Sequence, residues 1–285
     1  MKAITVGLVA TLAALGPQDV PPVFRSAAHA VAVDVAVFDG DHVVSSLSAA
    51  DFEVLDNGVR QTVSSVDQHR LPIDLRLVFD TSGSISPGDL DKYRSAMRRV
   101  ADTLQPDDRC EIVAFTTRIT DAATRQSPPV AINLQRTVPD GTAFFDAVSL
   151  ALVTVPSVVR RQIVIILSDA QDNSSFFDEA ALVDAAKRTD AVVYAVLPVT
   201  TGASDHALFA SRLQSLVLLT GGRLVPAQRD AQIGSVLIDA INEFRNSYVL
   251  RYTIQGARRS GWHALSVKVK GYRYSVRARA GYFLG

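Results

Sequence analysis

The chain has 285 residues, of which 48% are apolar and 20% are charged, a composition typical of a soluble protein that buries a substantial core. Its 29 lysines and arginines balance its 29 aspartates and glutamates, so the charge gives no reason to expect nucleic acid or an anionic membrane as a partner. The single cysteine, Cys110, excludes an internal disulfide framework and a zinc site of paired cysteines.

The first 20 residues, MKAITVGLVATLAALGPQDV, place Lys2 before an apolar run that ends at about Gly16. This run is shorter than the roughly 20 residues that a membrane-spanning helix needs, and it is typical of the apolar region of a signal peptide. We therefore predict a signal peptide over residues 1–20 and an exported protein, either periplasmic or secreted. A buried N-terminal helix or strand is the alternative. No second apolar stretch of that length follows, so we expect no membrane span in the mature chain.

Residues 24–70 alternate apolar and polar side chains, as antiparallel strands with one solvated face do. The segment contains AVAVDVAVFDGDHVVSSL and DFEVLDNGVRQTVSSVD, in which DG and NG are turn sequences of β-hairpins. These residues therefore predict an antiparallel N-terminal flank.

Residues 71–246 alternate predicted strands and helices. The strands are LRLVFD, RCEIVAF, RQIVIILSD, AVVYAVLPV and RLVPA. The helices run from Ser86 and Pro87 to Leu104, over TAFFDAVSLALVTV, near DEAALVDAAKR, from His206 to Thr220 and from Ile233 to Phe244. Such alternation predicts an α/β fold with a doubly wound, mostly parallel sheet that helices cover on both faces. On its strand, Cys110 alternates with Ile112 and Ala114, which predicts a buried, inert thiol.

Residues 247–285 return to antiparallel patterns in YVLRYTI, WHALSVKVK and YSVRARAGYF. Two or three isolated strands bury little surface, so neither flank is expected to be stable alone. We therefore predict that both flanks combine into one small discontinuous antiparallel β domain, with the α/β domain of residues 71–246 inserted between them.

A concentration of oxygen ligands is predicted at one edge of the parallel sheet, where ligands of such folds bind. Asp80 and Asp169 each end a predicted central strand, Ser82 and Ser84 follow Asp80, and Thr142 opens the intervening helix. Hard oxygen donors suit Mg²⁺ or a similar divalent ion, which keeps some of its waters and takes few carboxylates. Turn formation by the serines, a helix cap at Thr142, and plain loop roles for the nearby Asp172 and Asn173 are the structural alternatives.

Other kinds of site fit the sequence poorly. An EF-hand loop that began at Asp80 would need glycine where this chain has Ile85. No phosphate-binding loop, GxSxG or HExxH string occurs, and no motif places a histidine near the serines. We therefore predict that the protein is not an enzyme.

The segments DTSGS at Asp80, GT at Thr142 and LSDAQD at Asp169 resemble the metal-ion-dependent adhesion site of von Willebrand factor type A domains. The order of elements agrees over about Leu71–Phe244, and the flanks are similar to those of bacterial proteins related to that domain. The resemblance implies a von Willebrand factor A, Rossmann-like fold and a Mg²⁺ or Mn²⁺ ion. The implied metal ligands are Asp80, Ser82, Ser84, Thr142 and Asp169.

In that family the serines and, in some states, the threonine bind the ion directly, while the aspartates act directly or through water. An acidic residue of a partner protein completes the coordination. One departure from the family pattern is Ala170, which stands where glycine is frequent after the last aspartate. We therefore predict an exported, metal-dependent, adhesion-type binding module. The alternative is a structural or assembly protein in which the metal only stabilises the loops.

Overall fold

The structure is a computed structural model that describes residues 30–68, 71–83, 87–128, 141–153, 159–198, 206–227, 233–257 and 260–284. The predicted signal peptide, Ser84 and Ser86 lie outside these residues. The strands are β1 Ala30–Asp39, β2 His42–Val43, β3 Phe52–Asp56, β4 Val59–Gln61, β5 Val63–Gln68, β6 Ile73–Asp80, β7 Arg109–Phe115, β8 Ile119–Gln126, β9 Arg161–Leu167, β10 Val192–Pro198, β11 Leu224–Ala227, β12 Tyr248–Thr253, β13 Gly261–Val269, β14 Ser275–Ala278 and β15 Gly281–Leu284. The helices are α1 Pro87–Ala101, α2 Phe144–Leu152, α3 Glu179–Arg188, α4 His206–Thr220 and α5 Ile233–Arg245, and a short 3₁₀ helix covers Ala49–Asp51.

A six-stranded sheet in the order β11-β10-β9-β6-β7-β8 forms the centre of the molecule. Its pairs are parallel except for β7 with β8, which is antiparallel. Helices α1 and α5 pack on one face, and α2, α3 and α4 pack on the other. Strand β9 is buried along its whole length, as its continuous apolar sequence requires. The predicted α/β class is therefore confirmed, although the sequence analysis missed the edge strand β8.

Two helices are shorter than predicted. Helix α1 ends at Ala101 instead of Leu104, because Thr103 and Leu104 donate to carbonyls three residues back and so form a tighter turn. Helix α2 covers only Phe144–Leu152 of the predicted TAFFDAVSLALVTV segment. Its N-cap is Ala143, so the prediction that Thr142 opens the helix was wrong by two residues. At the other end, β-branched Val153 has left the helical region.

The flanking segments pair with each other in two antiparallel sheets. The first has the order β14-β1-β12-β5 with β2 at the edge of β1, and the second has the order β15-β13-β3-β4. Each sheet therefore contains strands from before residue 71 and from after residue 246. The inner faces share one apolar core, which includes Val35, Phe52 and Leu250. The division of the chain into domains at residues 24–70, 71–246 and 247–285 stays a prediction.

A buried aspartate connects these two sheets. Asp56 at the end of β3 accepts hydrogen bonds from the hydroxyls of Tyr252 (2.9 Å) and Tyr282 (2.7 Å). Its other carboxylate oxygen lies 2.7 Å from Nδ1 of His263, which is fully buried. Tyr252 belongs to the first sheet, whereas the other residues of this cluster belong to the second. Asp56 therefore holds together residues that are about 200 positions apart in the sequence.

The last helix of the α/β region contacts the first flanking sheet. Glu243 of α5 pairs with Arg277 of β14 (2.8 Å) and with Arg223 (3.2 Å). It also accepts a hydrogen bond from the Tyr194 hydroxyl of β10 (2.9 Å). These bonds fix the C-terminal part of α5 between the central sheet and β14.

We expect Cys110 to resist alkylation in the folded protein. Its side chain is buried in β7, and burial raises the pKa of its thiol to about 12, so almost no thiolate forms at neutral pH. Mass spectrometry after iodoacetamide treatment should show an unmodified chain in buffer and a modified chain in denaturant. Rapid modification without denaturant would contradict the buried position.

No helix in the described part of the chain is long and apolar enough to cross a bilayer.

Candidate metal centre

The predicted site lies at the carboxyl ends of the two adjacent central strands β6 and β9. Asp80 is the last residue of β6 and is 1% exposed, and Ser82 follows it in the buried turn. Asp169 lies two residues beyond the end of β9 and is half-buried. Since β6 and β9 pair in parallel, they deliver both aspartates to the same edge of the sheet.

Both carboxylate oxygens of Asp80 accept hydrogen bonds within the site. Oδ1 accepts from the backbone N–H of Ser82 (2.9 Å), which closes a tight turn after β6. Oδ2 accepts from the hydroxyl of Ser168 (2.9 Å). The same Ser168 oxygen accepts from the backbone N–H of Ala170 (2.9 Å), so Ser168 connects Asp80 to the loop after β9. The sequence analysis did not assign a role to Ser168.

The loop that follows Asp169 encloses Thr142. Asn173 Oδ1 accepts from the Thr142 N–H (2.7 Å), and the Thr142 carbonyl accepts from the N–H groups of Asn173 (3.0 Å) and Ser174 (3.2 Å). Asp172 accepts from the N–H of Phe145 (2.9 Å) in the first turn of α2. Asp172 and Asn173 are therefore bound to the start of α2, in keeping with the loop roles that we considered for them. These bonds place Thr142, which is 7% exposed, beside the loop of Asp169.

Comparison with known proteins identifies the family of this part of the chain. Residues 74–215 match the family described as the von Willebrand factor type A domain. The chain is a von Willebrand factor type A domain protein. The matched residues include the central sheet except β11 and the first residue of β6, together with Asp80, Ser82, Thr142 and Asp169. No curated protein matches the chain in sequence.

Solved structures with this fold are similar at low sequence identity. The von Willebrand factor type A domain protein aligns with the ArnB paralog VWA2 from Sulfolobus acidocaldarius at 10% identity and a TM-score of 0.51, over 90% of this chain and 76% of that one. It aligns with proximal thread matrix protein 1 from the mussel byssus, with a zinc-occupied MIDAS motif, at 18% identity and a TM-score of 0.52. That alignment covers 67% of this chain but only half of the mussel chain. These similarities show the fold.

The Ala170 of this von Willebrand factor type A domain has a left-handed backbone, with φ of +61°. This region favours glycine and costs other residues roughly 1–2 kcal/mol. Two bonds hold the residue there, one from its N–H to Ser168 and one from Arg212 of α4, whose Nη1 donates to the Ala170 carbonyl (2.7 Å). Neighbouring residues thus hold alanine in a conformation that favours glycine, the residue frequent at this position in the family. No pattern in the sequence predicted the contribution of Arg212.

The donor set fits a divalent cation that takes few carboxylates. Within the described ranges, no three histidine, cysteine, aspartate or glutamate side chains are grouped to hold a metal. The candidate ligands comprise two carboxylates, and the others are hydroxyls of Ser82 and Thr142. A mixture of carboxylates and hydroxyls suits Mg²⁺ or Mn²⁺ better than carboxylates alone would. Such ions bind few carboxylates and keep several coordination positions for water. Ser84 lies outside the described residues, so its role as a ligand stays a prediction.

Electrostatics at Asp80 also favour a cation. Burial raises the pKa of the Asp80 carboxyl above its ordinary value of 3.8, hydrogen bonds from Ser82 and Ser168 oppose this shift, and the nearby Asp169 carboxyl raises the pKa further. The ionised form of Asp80 therefore destabilises the metal-free fold. A divalent ion beside the two carboxyls would offset the loss of hydration and their mutual repulsion.

We expect the stabilisation by Mg²⁺ to depend on pH with a definite sign. The pKa of Asp80 is higher in the folded protein than in the unfolded chain. The fold is therefore not destabilised by Asp80 below the ordinary pKa, where the carboxyl is protonated in both states, and it loses stability as the pH rises through the folded pKa. The difference in Tm between Mg²⁺-containing and EDTA-treated protein should therefore widen from acidic to neutral pH. Thermal unfolding monitored by circular dichroism measures this difference, and a gap that narrows as the pH rises would contradict it.

We expect Gly141→Ala to disturb the contacts between Thr142 and the loop that contains Asn173 and Ser174. A Cβ at Gly141 would lie 2.2 Å from Oγ of Ser174, 2.8 Å from Cγ2 of Thr117 and 3.0 Å from Oδ1 of Asn173. The side chains of Ser174 and Thr117 would have to shift, and Asn173, whose Oδ1 accepts from the Thr142 N–H, would be pushed by a few tenths of an ångström. We expect weaker Mg²⁺ binding, by roughly tenfold if one hydrogen bond of the loop is lost. Gly83→Ala, whose Cβ meets no atom of the described residues within 4 Å, is the matched control in the same site.

Proposed function

We propose that this protein is an exported, non-enzymatic binding protein that uses a divalent cation to hold an acidic side chain of a partner protein. Mg²⁺ or Mn²⁺ would be bound by Asp80, Ser82, Ser84, Thr142 and Asp169, the residues that the resemblance implies. The balanced charge of the chain, 29 basic against 29 acidic residues, favours a local site of this kind over binding to nucleic acid.

The observation that carries the proposal is the buried carboxyl of Asp80. It lies at the edge of the central sheet with Asp169 near enough to raise its pKa, and it accepts hydrogen bonds from Ser82 and Ser168. Two carboxyls brought together in this way are costly unless a cation or a proton accompanies them. The hydroxyls of Ser82 and Thr142 supply further oxygen donors without additional charge.

The ion would supply positive charge and an open coordination position at the edge of the sheet. Neutral hydroxyl ligands reduce its charge little, so it would attract a carboxylate more strongly than an ion held by several acidic residues. This chain's residues do the remaining work. Asp80 and Ser168 fix the end of β6 against the loop after β9, and Asn173 fixes Thr142.

Titration calorimetry of the mature protein with Mg²⁺ and Mn²⁺ tests the proposal. We expect about one site in the wild type and none in an Asp80→Ala, Ser82→Ala double variant. The matched control is Asp67→Ala with Ser65→Ala, which makes the same two replacements in β5 of the flanking sheet. Absence of binding to the intact protein, or binding that survives in the double variant, would contradict a metal site at Asp80.

The second candidate is a structural or assembly protein in which the metal only stabilises loops. The observation in its favour is that two antiparallel sheets surround their own apolar core, separately from the metal centre. The fold similarity to a mussel byssus protein named as a thread matrix protein is compatible with this candidate. Asp80→Ala should abolish partner capture under the first candidate. Under the second it should lower thermal stability but leave the assembly contact measurable.

A further inference from the structure

Two adjacent phenylalanines are exposed in the loop after the candidate metal centre. The side chain of Phe176 is 91% exposed and that of Phe177 is 50% exposed. Their rings meet edge to face, with centroids 5.8 Å apart. Single exposed apolar residues are common on protein surfaces, but a pair of neighbouring aromatic rings is a concentrated apolar surface that favours contact with another molecule.

Hydrogen bonds hold the backbone of this pair in place. The N–H groups of Phe176 and Phe177 donate to the two carboxylate oxygens of Asp146 in α2, at 2.9 and 2.8 Å. The N–H of Asp146 donates to the hydroxyl of Ser175 (3.0 Å), and Asp178 caps the start of α3. The rings are therefore presented by an ordered loop, so little conformational entropy remains to be lost when a partner binds.

The aromatic pair belongs to the same loop that contacts Thr142 of the candidate metal centre. Ser174 and Asn173 of the same loop donate to the Thr142 carbonyl, only two and three residues before Phe176. On the other side, Phe177 lines an apolar groove of about 680 Å³ between α2 and α3, where Leu150 and Val153 are also exposed. A partner segment whose carboxylate reaches the metal would thus extend over the rings and towards this groove.

The surrounding charges restrict which partner fits. The loop that carries the rings and the start of α3 contain several acidic residues. These are Asp169, Asp172, Asp178 and Glu179. Arg212, which contacts this loop, already binds the Ala170 carbonyl and Glu179. A second acidic residue beside the metal-bound one would therefore meet like charge, whereas an apolar residue would meet Phe176.

We propose that Phe176 and Phe177 form an apolar subsite that selects partners in which a single acidic residue stands next to a large apolar side chain. The partner is a protein segment that contains this pair of residues and has no second acidic residue close enough to contact the loop. This inference rests on the proposed metal-dependent function and names the partner class of the same site.

Selection from a phage library of cyclic random peptides tests the inference. The immobilised full mature chain is the bait in Mg²⁺, and bound phage are eluted with EDTA. We expect peptides with one aspartate or glutamate and with phenylalanine, leucine or isoleucine within two residues of it. With Phe176→Ser, Phe177→Ser as bait, the apolar preference should disappear. Tyr272→Ser, which removes an exposed ring that stacks on Tyr274 in the turn before β14, should select as the wild type does.

Affinities of the selected peptide complete the test. Fluorescence anisotropy in Mg²⁺ should show binding to the double variant that is weaker by roughly tenfold to a hundredfold, as expected for loss of a buried aromatic contact. Acidic peptides without apolar neighbours, or equal affinity for both baits, would overturn the subsite and leave the metal-dependent function standing. Absence of any Mg²⁺-dependent acidic peptide from the wild-type selection would overturn the proposed function and the subsite together.

Discussion

Asp80→Ala is expected to abolish the thermal stabilisation that Mg²⁺ gives to the wild-type protein. A ligand that binds only the folded state stabilises it by about 2.7 kcal/mol at 100 times its Kd, which corresponds to a Tm increase of roughly 5–10 °C in a protein of this size. The variant loses the most buried of the described candidate ligands and one of their two carboxylates, so that only Asp169 remains charged beside the hydroxyls of Ser82 and Thr142. Its Tm should be the same in Mg²⁺ and in EDTA.

The Tm in Mg²⁺ is compared with the Tm in EDTA for the same variant, so a change in the stability of the metal-free protein does not affect the result. Asp102→Ala provides a matched control, since Asp102 is an exposed aspartate just after α1, which leads away from the carboxyl edge of the sheet. This control should keep the full response to Mg²⁺. An Asp80→Ala protein that still responds to Mg²⁺, or a control that loses its response, would place the metal elsewhere.

The positions of Asp80 and Asp169 could be predicted because they depend on simple features of the sequence. Continuous apolar runs identify buried parallel strands, and the residues that end such strands must meet at one edge of the sheet. The structure places Asp80 at the end of β6 and Asp169 just beyond β9, as this reasoning requires. The burial of Cys110 followed in the same way from alternation along β7.

The residues that support the site were not predictable from such patterns. Ser168, Asp146 and Arg212 act through hydrogen bonds to loops that are distant in the sequence or irregular in backbone. A serine or arginine on a strand end or helix gives no periodic signal that reveals its partner. The left-handed backbone of Ala170 was equally hidden, because alanine is normally found in other conformations.

The flanks show the same division. Alternation predicted antiparallel strands on both sides of the α/β region, and the structure pairs them with each other. The register between the paired strands of the two flanks was not predictable. It depends on contacts between side chains that are separated by about 200 residues of intervening chain. Likewise, no pattern in the sequence indicated a partner for His263, which the structure buries against Asp56.

Asp56→Ala is expected to lower the free energy of unfolding by about 3–5 kcal/mol, the range for removal of one partner from a buried polar network. Asp56 is fully buried and accepts from Tyr252 and Tyr282. Burial raises the pKa of both tyrosines above the ordinary value of 10.0, so their hydroxyls stay protonated as donors. Without Asp56, these donors and the ring nitrogen of His263 would lose their shared acceptor in the core.

Urea unfolding followed by circular dichroism measures this loss, and two variants interpret it. Asp56→Asn keeps one acceptor oxygen and should cost less than Asp56→Ala. Asp67→Ala removes an aspartate that is 40% exposed and pairs with Arg251 on the surface, so it should cost no more than about 1 kcal/mol. If Asp56→Ala were as mild as Asp67→Ala, the two flanking sheets would not depend on this cluster. Retention of the Mg²⁺ response by folded Asp56→Ala protein would show that the cluster stabilises the flanks without taking part in the metal centre.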